Sequence, residues 1–203
     1  MIPILAYHKV SERPRAGEPS WMAVPPETFE RQIATLAGEG YRTIDPAALL
    51  AALGGTPPPA RSLLVTFDDG YEDNATQALP VLARHGFTAI VFLIGDYLST
   101  APSSERPCPR AVPDVPMLDD AQIRSLRDAG WSFGSHGMSH RRLPDLPEDE
   151  VRWELEGLAR AGLADGRATD QAPRLPVRRH GRARGRARAP PGTARRSRCA
   201  RGP

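Results

Sequence analysis

Asp68 and Asp69 stand side by side between the apolar run Leu63-Leu64-Val65-Thr66-Phe67 and Gly70. Two adjacent carboxylates at the end of a buried segment repel each other and lose solvation, so both stay ionised only if something neutralises them. A divalent metal would do so through one carboxylate and leave the other free as a general base. The bland alternative is a turn, because Asp-Asp-Gly is also favourable turn chemistry. Farther along, His136 and His140 enclose Gly137-Met138-Ser139. Three residues between two histidines is a metal-ligand spacing, although two unrelated exposed histidines would look the same. No Glu follows His136, which excludes the helical His-Glu-x-x-His arrangement, and Gly134 and Gly137 favour a loop. Asp69, His136 and His140 together offer one carboxylate and two imidazoles. Such a set leaves coordination positions open for water and substrate.

The elements that must position these groups alternate between strand and helix. Ile2–Tyr7, Tyr41–Ile44, Leu63–Phe67, Thr88–Ile94 and Trp131–Phe133 read as five short strands, the first of them buried. Phe29, Ile33, Leu36 and Ala37 recur at helical spacing, and Glu39-Gly40 stops that helix. Ala47–Leu53 is helical and ends at Gly54-Gly55. A helix from about Ala75 has Asn74 as its expected N-cap and is weakened or kinked at Pro80. Asp119 or Asp120 caps a helix with Ile123, Leu126 and Ala129 facing inward. The last helix spans roughly 148–161, with Val151, Leu155 and Leu158 expected on its buried face. This alternation argues for an α/β fold with a parallel sheet covered by helices, a barrel being one form of it. The polar residues gather at the C-terminal ends of strands one, three and five, the edge where (β/α) barrels place their catalytic groups.

Composition divides the chain. From Arg167 onward there are 12 Arg and a single acid, Asp170, which leaves 15 of the 27 basic and 23 of the 24 acidic residues in 1–166. The net charge of +3 is therefore no sign of nucleic-acid binding, because the basicity belongs to the tail. Residues 166–203 lack apolar periodicity and are expected to be disordered, beyond a domain at 1–165. Two cysteines, Cys108 and Cys199, make no disulfide framework. No stretch of about 18 apolar residues is present to span a membrane. The N-terminus lacks the pattern of a signal peptide, so a cytoplasmic location is the reading from sequence.

Thr66-Phe67-Asp68-Asp69-Gly70 and Ser135-His136-Gly137-Met138-Ser139-His140 resemble the first two motifs of the polysaccharide deacetylase family, the NodB-homology domain of carbohydrate esterase family 4. Tyr7-His8-Lys9-Val10 resembles the branch that deacetylates poly-N-acetylglucosamine. The resemblance covers roughly residues 1–165. It implies a distorted (β/α) barrel and a divalent metal, zinc first among them, held by Asp69, His136 and His140, with Asp68 as general base. The implied activity is hydrolysis of N-acetyl groups from an N-acetylglucosamine-containing polysaccharide or oligosaccharide. Metal activation of water and polarisation of the acetamide carbonyl would suit that chemistry, and Asp68 would take the proton of the attacking water. Relatives often act outside the cytoplasm.

The resemblance ends early. The family's third motif, an Arg or aromatic-Pro-Tyr stretch, and the late histidine that acts as general acid find no counterpart. Arg174-Leu175-Pro176-Val177 leads into Arg-rich sequence, and His180 is the only histidine left. A barrel of this type typically needs eight strands and about 250 residues. The domain is therefore expected to be partial, about five strands, with its C-terminal part truncated or frameshifted. An inactive metal or glycan binder, or a hydrolase of a small amide or cyclic imide on the same fold, are the alternative functions. Trp21, Trp131 and Trp153 could stack on sugars, with core packing the simpler reading for the latter two. Tyr71 could line the cleft. His8 faces the same region and reads first as a structural hydrogen-bonding residue.

Overall fold

The structure, a computed structural model, describes residues 1–14, 16–98 and 115–160. The tail expected at 166–203, the domain boundary at 165, His180 and both cysteines lie outside the described residues.

All five expected strands are present and run parallel. β1 (Ile4–Tyr7), β5 (Ser62–Asp69), β6 (Ile90–Leu93) and β7 (Ser132–Ser135) form a continuous path in the order β1-β5-β6-β7. β4 (Arg42–Thr43) adds to the beginning of β5 through Ser62 and Leu63. A separate parallel pair, β2 (Lys9–Val10) and β3 (Ala23–Val24), closes off the segment after β1. That pair was not legible in a stretch read as loop, because two-residue strands carry no periodicity.

β5 is the central strand, buried at all but one position. Its unbroken apolar run is what a parallel strand covered on both faces requires. β1 departs from expectation. It is an edge strand that pairs only with β5 among the described residues, and Ile4 is 58% exposed. Only its Tyr7 is buried. Tyr7 stacks on Phe67 with ring centroids 5.6 Å apart, and Phe67 stacks on Trp131 at 5.5 Å. Phe29 meets Tyr7 edge-on at 5.1 Å. This aromatic column ties β1, β5 and the start of β7 to α1 (Pro26–Gly38), and each such pair adds about 0.5–1.5 kcal/mol beyond the area it buries.

The other helices begin where their caps put them. Asp45 accepts the Ala48 N–H at the start of α2 (Pro46–Leu53). At α4 (Asp120–Asp128), Asp119 accepts from the Gln122 N–H while the Gln122 side chain accepts from the Asp119 N–H, a reciprocal capping box. The helix expected from Ala75 is interrupted. Asn74–Ala78 winds as a π-helical turn before α3 (Leu79–Arg84), and the Leu79 N–H reaches back to the Asn74 carbonyl. Pro80, which has no N–H to give, makes this widened turn tolerable. Asn74 is not a cap. Its side-chain amide is buried and donates to the His8 carbonyl, fastening the π turn to the loop after β1.

α5 (Glu148–Arg160) corrects the expectation most clearly. Leu155, placed on the buried face from its periodicity, is 61% exposed, and the side chain of Leu158 lies outside the described residues. The fully buried position is Glu154, which shares a face with Val151 and Gly157. Among the described residues, no helix is long and apolar enough to cross a membrane.

Candidate active site

β5 and β7 flank β6 and end level with each other, in register from Phe67–Val91–Phe133 to Asp69–Leu93–Ser135. This topology carries Asp68 and Asp69 to the same sheet edge as the His136–His140 loop. Successive side chains on a strand point to opposite faces, so an ideal strand would send the two carboxylates apart. Asp69 escapes that rule with φ of 73°. Gly70 continues the turn at φ 80°, where any Cβ would fall 2.5 Å from Leu93 Cδ2. His140 is also left-handed, φ 58°. Non-glycine residues in that region carry strain of about 1–3 kcal/mol each and persist where their surroundings hold them.

The three expected ligands converge. Asp69 Oδ1 lies 3.5 Å from His136 Nε2 and 3.4 Å from His140 Nε2, and the two nitrogens are 3.2 Å apart. Ligands at the corners of a tetrahedron with bonds of about 2.0–2.1 Å are roughly 3.3–3.4 Å from each other. The donors therefore fit a divalent ion of that size. Asp69 Oδ1 is buried and has no hydrogen-bond partner, a costly state for a carboxylate oxygen unless a cation meets it. Burial first, and then the Asp69 carboxylate, push the Tyr71 phenol well above its ordinary pKa, so it remains a proton donor. Burial lowers the pKa of His136, outweighing the nearby Asp68 charge that acts to raise it. A neutral imidazole is the form that ligates metal.

Asp68 does not join this triangle. Its Oδ2 lies 3.9 Å from His8 Nε2, and its charge is felt at His136. His8 thus faces the Asp68 carboxylate, and the ring of Trp21, 64% exposed, meets it edge-on at 5.2 Å. Tyr71 lies beside the site as expected, with Lys9 Nζ 4.7 Å from its ring centre. Lys9, the chain's single lysine, is buried and paired with Glu18 at 2.5 Å. Trp131 is in the core, and Trp153 is half-buried on α5.

Sequence reasoning missed Glu154. Its carboxylate accepts from the Met138 N–H (2.6 Å) and the Ser139 N–H (2.9 Å) through one oxygen and from the Ser139 hydroxyl through the other. Arg141 Nε approaches at 3.4 Å, while its Nη1 pairs with Glu150 at 2.6 Å. The rest of the loop is equally committed. The His136 N–H donates to the Leu93 carbonyl, and the Gly137 N–H to Ser135 Oγ. The Gly137 and Met138 carbonyls accept from the N–H groups of Gly95 and Asp96. The fully buried Met138 side chain fills a slot floored by two glycines: a Cβ on Gly95 or Gly157 would stand 2.2 Å or 2.1 Å from it.

A profile of the polysaccharide deacetylase family matches residues 55–175. The chain belongs to the polysaccharide deacetylase family. It is 30% identical to the Bacillus subtilis protein YxkH over 155 residues, 76% of this chain and 48% of that protein. It is 29% identical over 97 residues to the poly-beta-1,6-N-acetyl-D-glucosamine N-deacetylase of Escherichia coli K12, covering 47% of this chain and 14% of that enzyme. The deacetylase PplD of Streptococcus pyogenes, solved in complex with acetate, superimposes with a TM-score of 0.63 at 26% identity, over 76% of this chain and 64% of PplD. The chain thus spans about half the length of YxkH and much less of the E. coli enzyme. In this member of the family, Asp69, His136 and His140 form a donor set for a divalent metal.

Proposed function

We propose that this chain carries the metal and base side of a zinc-dependent N-deacetylase acting on a polysaccharide that contains N-acetylglucosamine. The observation that carries the reading is the convergence of Asp69 Oδ1, His136 Nε2 and His140 Nε2 at ligand separations, with the Asp68 carboxylate left outside the triangle. The matches to a poly-N-acetylglucosamine deacetylase and to a deacetylase complexed with acetate support the substrate class.

In this reading Asp69, His136 and His140 hold the ion. When bound, zinc acidifies water and polarises the acetamide carbonyl. Asp68 accepts a proton from water as its oxygen forms a bond to the acetyl carbon. Breakage of the C–N bond, with the proton held by Asp68 passing to the departing nitrogen, then releases acetate and leaves the amine on the sugar. His8, 3.9 Å from Asp68, orients the base and limits its rotation. Tyr71, kept protonated beside the Asp69 carboxylate, adds no competing negative charge to the ligand set.

The test is acetate release from N-acetylglucosamine oligosaccharides by the zinc-loaded chain, with small amides and cyclic imides assayed beside them. Asp68→Asn is expected to lower acetate release by about 10²-fold or more, while zinc remains bound at one equivalent. Loss of zinc in that variant would reverse the two aspartate roles. Zinc uptake without turnover of any amide would leave a binding protein, and turnover of small amides alone would refute the polysaccharide reading.

A further inference from the structure

Between His136 and His140 the chain makes no helix that could set the spacing of the two imidazoles. The segment Gly137-Met138-Ser139 is a loop, with Gly137 and His140 in left-handed backbone. A loop of this kind holds two ligands at 3.2 Å only if something outside it does the holding. The N–H groups of Met138 and Ser139 both point at one carboxylate oxygen of Glu154, and the Ser139 hydroxyl points at the other. Glu154 is fully buried on α5. A buried carboxylate is expensive unless hydrogen-bonded and charge-paired. Here both conditions are met by the ligand loop itself and by Arg141, the residue directly after His140. Even the approach is shaped for it: a Cβ on Gly137 would stand 2.9 Å from Glu154 Oε2.

We propose that Glu154 is the positioning residue of the metal site: it fixes the Met138 and Ser139 amides and thereby the separation of the His136 and His140 imidazoles. Arg141 completes the device. It bridges Glu154 and Glu150 on α5, so the chain leaving His140 is anchored to the same helix that anchors the loop. The inference rests on the reading of Asp69, His136 and His140 as metal ligands. Outer partners of this kind typically alter metal affinity by about 10–100-fold when removed.

The experiment titrates metal-free protein with Zn(II), and with Co(II) to read the ligand-field spectrum, in the full chain and in Glu154→Gln, Ser139→Ala and Leu126→Ala. Glu154→Gln keeps an oxygen for the two amides but presents an N–H₂ where Ser139 and Arg141 need an acceptor. It is expected to weaken Zn(II) binding about 10–100-fold and to shift the Co(II) spectrum away from the wild-type form. Ser139→Ala, which removes one arm and leaves both amide bonds, is expected to lose less, and it carries the test if Glu154→Gln does not fold. Leu126→Ala, a cavity in the core away from the site, should lower thermal stability and leave metal affinity unchanged. Affinity and Co(II) spectrum unaltered in Glu154→Gln and Ser139→Ala would overturn the positioning role while leaving the metal site intact. Metal affinity that falls as far in Leu126→Ala would reduce Glu154 to a general contributor to folding and overturn the proposal. Failure of the wild-type chain to take up either metal would instead bring down the metal reading, and the positioning role with it.

Discussion

Replacing Gly157 with alanine should destabilise this protein, although the same change in an exposed helix stabilises. Inside a helix, Ala is favoured over Gly by about 1 kcal/mol. At Gly157 the added Cβ would stand 2.1 Å from Met138 Cγ and 2.3 Å from Sδ. Met138 is flexible, but it cannot retreat freely, because it is fully buried and Gly95 also packs against its sulfur at a distance that excludes a methyl group. Overpacking of this kind costs about 1–3 kcal/mol. The net expectation is a loss of up to about 2 kcal/mol, with a lowered Tm. Met138→Ala alone should cost about 2–5 kcal/mol through the cavity it leaves. In the double variant the methyl group added at Gly157 no longer meets the Met138 side chain and occupies part of that cavity. The two losses should therefore fail to add, by about 1 kcal/mol or more. Thermal and urea denaturation of the four proteins complete the cycle, and zinc titration reports whether the strained loop also loosens its histidines. A rise in Tm for Gly157→Ala, with additive losses in the double variant, would refute the slot.

Zinc should raise the Tm of the wild-type chain, by about 2.7 kcal/mol of stabilisation at a hundred times Kd, and chelation should reverse the gain; Asp69→Ala should show neither effect in differential scanning fluorimetry. Asp73, whose pKa burial raises to about 6, should give a pH-dependent contribution to stability. Because the folded-state value lies above the unfolded one, its favourable contribution is complete below about pH 4 and is lost as pH rises through about 6. Stability of wild type relative to Asp73→Asn should therefore fall by about 1–3 kcal/mol between about pH 4 and pH 7; a flat difference would contradict the assignment. Trp21→Ala should raise KM for an acetylated oligosaccharide several-fold and leave turnover of a small acetamide unchanged, since an exposed indole beside His8 offers a sugar ring a stacking face; equal effects on both substrates would argue against that role.

The sequence was most legible where local chemistry and tertiary role agree. β5 and β6 were visible because parallel, covered strands must be apolar along their length, and the ligand trio was visible because a carboxylate and two imidazoles fall at strand ends with metal-ligand spacing. Legibility failed where a long-range contact overrode local preference. Asn74 looks like a cap from its neighbours, yet its amide reaches the carbonyl of His8. Leu155 looks like a core residue from its spacing, yet the buried position on α5 is a glutamate whose hydrogen-bond partners lie in another loop. A charge is never the natural choice for a buried face. The signal that could have marked Glu154 is the glycine three residues on, which no exposed helix needs. The left-handed backbone of Asp69 and His140 has only a weak signature in residue type, since Asp and His adopt it more often than most non-glycine residues.

The strand order also sets when the site can exist during folding. Asp69 lies at the end of β5 and the histidines follow β7, and these strands are not paired with each other; β6 joins them. No early local contact can gather the three donors, because parallel neighbours must first close long loops, which is slow. Metal cannot nucleate this fold in the way it nucleates a small zinc domain. In a refolding experiment, formation of the aromatic column, read by the fluorescence of Trp131, should precede the capacity to capture Co(II), and excess metal at the start should not accelerate the fluorescence phase.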